Sequence, residues 1–226
     1  MFTDRIDAGF ALAEKLKKYA RMEGVILAVP RGGIPIGYVV AKRTGLPLDL
    51  LMTKKIGHPQ NREYAIGAVS LTDSFLLPHI GVSATYIKAE TEQIRKRLKE
   101  MRLKFMGTAE PLPLKDKTVI VVDDGVATGN TLLSTINMIR KEGPARIVIA
   151  VPVASRSAAE KLSSVADEFI SVLIPDEFYG VGEFYTDFHQ VTDDEVLYYL
   201  NELRVSPALP KEAGIKIFDY GKANQL

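Results

Sequence analysis

One segment, TVIVVDDGVATGNT (Thr118–Thr131), constrains the fold of this 226-residue chain more than any other. Four consecutive apolar residues, Val119–Val122, are followed by two adjacent acids, Asp123 and Asp124. A short, continuous apolar run is typical of a strand that is buried on both faces of a parallel sheet. We therefore expect the two acids at the carboxyl edge of a sheet, where open α/β folds bind their ligands.

The turn that follows the acids has the composition of a phosphate-binding loop, because it offers backbone N–H groups and two hydroxyls at a predicted helix N-terminus. Two carboxylates cannot hold a phosphate, but they can bind sugar hydroxyls or a metal ion. Together the two parts suggest a ribose phosphate. A buried strand followed by a capped helix is the simpler alternative, but it leaves the paired acids unexplained. The predicted ligand-binding residues of the turn are Gly125, Val126, Ala127, Thr128, Gly129, Asn130 and Thr131.

This segment resembles the 5-phosphoribosyl-1-pyrophosphate (PRPP) motif of the type I phosphoribosyltransferases, in which an apolar strand, two acids and a loop ending in Thr-Gly-x-Thr follow one another. The resemblance implies Mg²⁺-dependent transfer of 5-phosphoribosyl from PRPP to a nitrogen acceptor, a nucleobase, with release of pyrophosphate. It also implies that Asp123 and Asp124 bind the ribose hydroxyls and contact the metal indirectly, through PRPP or water. The residues Thr128–Thr131 would anchor the 5′-phosphate.

A second loop, Pro30-Arg31-Gly32-Gly33, follows the first predicted strand. Its glycines allow a ligand to approach the backbone closely, and Arg31 has a planar donor fork suited to phosphate oxygens. In the resembled family the loop at this place holds pyrophosphate, so we expect that role for Arg31, Gly32 and Gly33. A plain strand-to-helix turn that needs glycine is the alternative.

The polar stretch 54–64 is predicted to be a loop that closes over the reacting ring, as the family resemblance implies. Closure would exclude water from an oxocarbenium-like ribosyl cation. We keep Lys54, Lys55 and His58 as candidate catalytic residues. A solvated charged loop is the alternative.

Four aromatic residues and two glycines lie close together in the stretch 175–185. Purine phosphoribosyltransferases have a hood in this region whose aromatic residue stacks on the base, and Phe178, then Tyr179, match that role best. The alternative is a small aromatic core beneath a loop.

One departure from the family bears on the acceptor. Hypoxanthine-guanine enzymes have an acid three residues after the acid pair that acts as general base, whereas this chain has Ala127 there. This argues against a 6-oxopurine acceptor. Further stretches, among them Asp4-Arg5 and Phe178–Gly182, are similar to uncharacterised microbial phosphoribosyltransferases, whose substrate the resemblance does not supply.

Predicted strands alternate with predicted helices, which indicates an α/β fold with a mostly parallel sheet and helices on both faces. We expect one phosphoribosyltransferase domain over 1–204, with a core at about 22–174, an insertion at about 71–107 that contains a long helix over 84–105, and a hood at about 175–190. Residues 205–226 form a C-terminal extension of unknown role, with a short strand predicted at 215–218.

Charge and composition exclude several other classes. The chain has 29 basic and 28 acidic residues and no cysteine, which speaks against a nucleic-acid surface, a disulfide or a thiolate nucleophile. No segment reads as a signal peptide or a bilayer span, so we expect a cytoplasmic protein with no membrane partner. The long helix and family habit favour a homodimer. A PRPP- or nucleotide-sensing regulator with the same fold is the alternative function, and a phospho-receiver domain fits poorly because its acids lie on an early strand.

Overall fold

The structure is a computed structural model that describes residues 1–76 and 81–205. Its strands are β1 (Gly24–Ala28), β2 (Leu48–Leu50), β3 (Thr53–His58), β4 (Asn61–Ser70), β5 (Ser74–Leu76), β6 (Thr118–Val122), β7 (Arg146–Val153) and β8 (Glu168–Leu173). Its α-helices are α1 (Arg5–Lys15), α2 (Gly33–Thr44), α3 (Ala84–Met106), α4 (Asn130–Lys141), α5 (Arg156–Ser163) and α6 (Asp193–Val205).

The centre of the fold is a five-stranded, all-parallel sheet in the order β2-β1-β6-β7-β8. Side chains alternate between its two faces, as the two-residue period of a strand requires. Ile26, Ile120 and Val148 belong to the core shared with α1, α2 and α6. Their neighbours Val25 and Val119 belong to the core shared with α4 and α5. The expected mostly parallel sheet with helices on both faces is thus confirmed.

Local sequence signals explain most of the helix boundaries. Asp4 caps α1 by accepting a hydrogen bond from the Asp7 N–H at 2.8 Å. Thr192 and Glu195 form the reciprocal capping box that begins α6, with the Glu195 N–H donating to the Thr192 hydroxyl at 3.2 Å and the Thr192 N–H donating to Glu195 Oε2 at 2.8 Å.

The prediction of a polar loop over 54–64 is wrong. This stretch belongs to the antiparallel hairpin of β3 and β4, and β5 extends it to a second, three-stranded sheet. Residues 48–53 are divided between the two sheets, because β2 ends at Leu50 and β3 begins at Thr53 in the other sheet. The alternation of polar and apolar residues is weak here because β3 contains Lys54, which is exposed, and Lys55, which is half-buried, and the sequence pattern does not distinguish such a strand from a polar loop.

A buried ion pair attaches α3 to the central sheet. The guanidinium of Arg102 binds the Asp49 carboxylate of β2 at 2.5 and 3.2 Å, and each side chain is only 1% exposed. The Leu112 N–H also donates to Asp49 Oδ2 at 2.7 Å. Residues 77–80 of the predicted insertion and the predicted strand over 215–218 lie outside the described residues, as does all of the predicted C-terminal extension except Val205.

Candidate functional site

The carboxyl ends of β1 and β6 bring the two predicted ligand loops together. Ala28 pairs with Val122 in the parallel register, and the Val29 N–H donates to the Val122 carbonyl at 2.9 Å. The loop that follows β1 and the acid pair that follows β6 are therefore neighbours. A Cβ added at Gly33 would lie 2.6 Å from the Val122 carbonyl oxygen, and one added at Gly32 would lie 2.0 Å from Asp124 Oδ2. Glycine is required here because no side chain fits between the loop and the acid pair.

Both acids of the pair are partly buried at this edge. The Asp124 N–H donates to Asp123 Oδ1 at 2.9 Å. Burial and the neighbouring charge of Asp124 raise the pKa of Asp123 well above its usual range. Burial also raises the pKa of Asp124, but the guanidinium of Arg5 opposes that rise. The pair is therefore an electronegative site that favours hydroxyl donors or cations.

Arg5, in the first turn of α1, is the cation that contacts this pair. Its Nε and one terminal nitrogen each lie 2.9 Å from Asp124 Oδ2. Its other terminal nitrogen donates to the His189 carbonyl at 2.8 Å, and its guanidinium lies 4.0 Å from the centre of the Phe188 ring. Arg5 is only 8% exposed.

The loop after the acids has its carbonyls bonded from outside. The Ser155 hydroxyl donates to the Ala127 carbonyl at 2.6 Å, and Lys161 Nζ donates to the Thr128 carbonyl at 2.8 Å. In contrast, no described residue accepts a hydrogen bond from the backbone N–H groups of residues 127–132. Gly129, at a φ of 70°, turns the chain into α4. The result is a row of free donors at a helix N-terminus, which is an anion-binding arrangement.

A cleft of about 580 Å³ adjoins Asp124. Arg5, Arg31, Gly32 and His189 line it. The Arg31 guanidinium makes an ion pair with Asp193 at the start of α6, at 2.7 Å, and does not contact the acid pair directly. Burial tends to lower the pKa of His189, but hydrogen bonds to carboxylates on both sides of its ring outweigh burial and raise that pKa.

A second cavity, of about 440 Å³, lies between the β3–β4 hairpin and the loop 125–131 that follows the acid pair. We call this loop the phosphate-type loop. Lys54 and Lys55 line it on the hairpin side, and Thr128 and Thr131 line it on the other side. The structure thus brings both predicted lysines to the loop. It does not bring His58 there, because His58 lies at the end of β3, where its Nδ1 accepts from the Gln60 N–H at 3.2 Å.

The two aromatic candidates have different environments. The Phe178 ring stacks on Phe184, with 5.5 Å between ring centroids and an angle of 25°. This matches the small aromatic core that the sequence left as an alternative. Tyr179 is 80% exposed. Val181 of the same segment approaches the phosphate-type loop at Gly125. A Cβ added at Gly125 would lie 2.5 Å from Cγ1 of Val181.

Sequence reasoning missed Arg5, Lys161 and Tyr185 as site residues. Tyr185 donates its hydroxyl to the Asp124 carbonyl at 2.6 Å. The shared Asp4-Arg5 stretch was a signal for Arg5, but nothing in the sequence connects Lys161 with the loop. Within the described ranges there is no cluster of three or more histidine or acidic residues that would hold a metal, and no helix combines the length and apolar character needed to cross a bilayer.

Comparison with known proteins identifies the family of this chain. The chain is 34% identical over 206 residues to proteins of Mycobacterium tuberculosis strains CDC 1551 and H37Rv that are provisionally named phosphoribosyl transferases. The match covers 89% of this chain but 46% of theirs, so the chain spans about half the length of these curated relatives.

Among solved structures, TT1426 from Thermus thermophilus is 36% identical, with a TM-score of 0.78 over 89% of this chain and 98% of that one. A purine phosphoribosyltransferase from Pyrococcus horikoshii is more distant, at 23% identity and a TM-score of 0.44, over 85% of this chain and 97% of that one. A family model described as a phosphoribosyl transferase domain matches residues 4–189. The chain belongs to the phosphoribosyl transferase domain family.

Proposed function

We propose that this protein transfers the 5-phosphoribosyl group of PRPP to a nitrogen atom of a nucleobase. The observation that carries the proposal is the meeting of three elements at one sheet edge: the free N–H groups of residues 127–132, the partly buried acids Asp123 and Asp124, and the close-packed Gly32-Gly33 backbone. A phosphate, a diol and a pyrophosphate are the three recognition elements of PRPP, and each has a chemically suitable partner here.

The proposed roles follow from these partners. The N–H row and the hydroxyls of Thr128 and Thr131 bind the 5′-phosphate, where the helix N-terminus favours negative charge. Asp123 and Asp124 accept hydrogen bonds from the ribose 2′- and 3′-hydroxyls. The cleft beside Asp124, which Arg5 and Arg31 line, receives the pyrophosphate.

In the reaction the bond between ribose C1 and the pyrophosphate oxygen breaks, and a bond from C1 to the acceptor nitrogen forms. The acceptor nitrogen releases its proton to solvent, and pyrophosphate leaves with the electron pair of the broken bond. The chain contributes mainly by orienting PRPP and by stabilising charge. Lys54 and Lys55 line the cavity at the phosphate-type loop, where they can balance the phosphate charge and the β3–β4 hairpin can exclude water.

We include Mg²⁺ in the proposal. When bound, it would neutralise charge on the leaving pyrophosphate. Asp123 and Asp124 fit an indirect role toward it, through the ribose hydroxyls of PRPP or through water, because Mg²⁺ takes oxygen ligands and keeps several of its waters when it binds substrate phosphates. A homodimer, suggested by family habit, remains part of the same proposal, to be measured by sedimentation.

The acceptor is the least constrained part of the proposal. Ala127 is exposed and supplies no carboxylate, which disfavours the base-catalysed 6-oxopurine reaction. Phe178 keeps its proposed role of stacking on a base only if its ring stays available beside Phe184, and Tyr179 is the exposed alternative.

Pyrophosphate release from PRPP and Mg²⁺, measured across a panel of purine and pyrimidine bases, tests the activity. We expect release with at least one base, and its loss in the double variant Asp123→Asn/Asp124→Asn. Asp176→Asn is the control, because Asp176 is a solvent-exposed acid whose side chain is 94% exposed. Full activity in the double variant would refute the assignment, and PRPP binding without release by any base would favour the sensing alternative.

A further inference from the structure

Arg5 belongs to the acid-pair site although it lies 119 residues before Asp124 in the sequence. Its contacts use the whole guanidinium. Two of its nitrogens share one carboxylate oxygen of Asp124, the third donates to the His189 carbonyl, and one face of the group lies over the Phe188 ring. A side chain held in this way has little rotational freedom, so the oxygen that it binds is also fixed in place.

The backbone around Arg5 is fixed by long-range pairing. The Phe2 N–H donates to the Phe184 carbonyl, and the Thr186 N–H donates back to the Phe2 carbonyl, both at 2.8 Å. The Asp187 N–H donates to the Thr3 carbonyl at 2.9 Å. The N-terminal segment and the segment 184–189 therefore form one unit that carries Arg5 and both of its supporting groups.

This arrangement uses the two oxygens of the Asp124 carboxylate differently. Oδ2 receives both Arg5 nitrogens and also lies against Gly32. In the described part of the chain, no other residue donates a hydrogen bond to Oδ1. A carboxylate with one oxygen bound to a guanidinium presents its second oxygen in a fixed direction, as an acceptor for a ligand hydroxyl.

We propose that Arg5 is a positioning residue that fixes the Asp124 carboxylate so that its Oδ1 recognises a ribose hydroxyl. The inference rests on the proposed function, since it takes ribose as the group bound by the acid pair. It adds a specificity role for an N-terminal residue that lies outside the PRPP motif.

Equilibrium binding of three sugar phosphates tests this role without any need for an acceptor base. Ribose 5-phosphate, 2-deoxyribose 5-phosphate and 3-deoxyribose 5-phosphate are titrated calorimetrically into the wild-type protein and into Arg5→Met. We expect the wild type to prefer ribose 5-phosphate over at least one deoxy sugar by roughly tenfold or more, the factor associated with one hydrogen bond to a charged group. In Arg5→Met the preference should fall to about twofold or less, while inorganic phosphate binds as in wild type.

A matched control separates this effect from general damage to α1. Arg43→Met removes another arginine that packs on this helix, over the Phe10 ring at 5.0 Å, and it should keep the wild-type preference. If Arg5→Met does not fold, as judged by near-UV circular dichroism, Arg5→Gln is subject to the same expectation, because its amide is polar enough for the buried position but cannot place two donors on Asp124 Oδ2.

The outcomes distinguish the two proposals. A folded Arg5 variant that keeps the full preference for ribose 5-phosphate would overturn the role of Arg5 and leave the ribose site intact. Equal binding of all three sugars by the wild type would overturn the ribose site and, with it, the role of Arg5. A lost preference with unchanged phosphate affinity would support the inference, because a merely structural defect would weaken phosphate binding as well.

Discussion

Gly32→Ala is the most direct test of how the two loops meet. Gly32 has φ −58° and ψ −35°, a conformation that alanine adopts freely, so the substitution introduces no backbone strain. Its only consequence is the added Cβ. That atom would lie 2.0 Å from Asp124 Oδ2 and 2.6 Å from Asp124 Cγ.

The size of the effect follows from these distances. Real Cβ atoms essentially never approach another heavy atom closer than 3.0 Å, so the carboxylate of Asp124 or the loop must move by about 1 Å. A misplacement of this size can reduce a rate about 10²-fold, which corresponds to about 2.7 kcal/mol of transition-state stabilisation. The cost to folding should be smaller, about 1 kcal/mol, because a side chain and not the backbone is displaced.

The assay compares kcat/KM for pyrophosphate release with the free energy of unfolding in denaturant. Gly180→Ala is the control, since a Cβ there would meet no atom within 4 Å. Gly33→Ala is the contrasting variant, because its Cβ would lie 2.6 Å from the Val122 carbonyl oxygen and 3.0 Å from the Asp123 Cα, both backbone atoms. We expect Gly33→Ala to lose mainly stability and Gly32→Ala to lose mainly activity.

The reasoning would be refuted if folded Gly32→Ala kept kcat/KM within about threefold of Gly180→Ala. Calorimetric titration with PRPP gives the same comparison if no acceptor has been found. In that case an unchanged PRPP affinity would show that the position of Asp124 does not matter for binding.

Three further predictions concern the surroundings of the site. Lys161→Met should weaken ribose 5-phosphate binding about tenfold, because the lysine bonds to the phosphate-type loop from outside, whereas the control Lys141→Met on α4 should keep the wild-type affinity. Equal affinities of the two variants in calorimetry would contradict this. The raised pKa of His189 means that its ionised form stabilises the fold below its ordinary pKa of 6.5 and that this contribution disappears as pH rises through the folded-state pKa. His189→Gln should therefore lower Tm more at pH 5.5 than at pH 9, and a Tm difference that does not depend on pH would exclude this role. Arg102→Met should lower the free energy of unfolding in urea by about 3–5 kcal/mol, because it leaves Asp49 buried and unpaired. Adding Asp49→Asn should recover part of that loss, and no recovery would attribute the loss to packing alone.

Much of the fold could be predicted because its signals are local. The run Val119–Val122 is apolar throughout since β6 is buried on both faces, and Asp4 and Thr192 mark helix starts with their own side chains. The hairpin of β3 and β4 could not be predicted in the same way. Its pairing depends on contact with α3 and α4, and its sequence is as polar as a loop.

The sequence by itself determined the strand, the acid pair and the glycine-bearing turn, because a few adjacent residues encode each of them. Tertiary structure alone decided which cation meets the acids and which supports the loop. Arg5 reaches Asp124, and Lys161 reaches Thr128 and Asn130 from α5, through the packing of helices on the sheet. The tertiary structure also pairs Arg31 with Asp193 and stacks Phe178 on Phe184. Such partners are separated by many residues, and their meeting depends on the register and packing of whole elements, which no local pattern records.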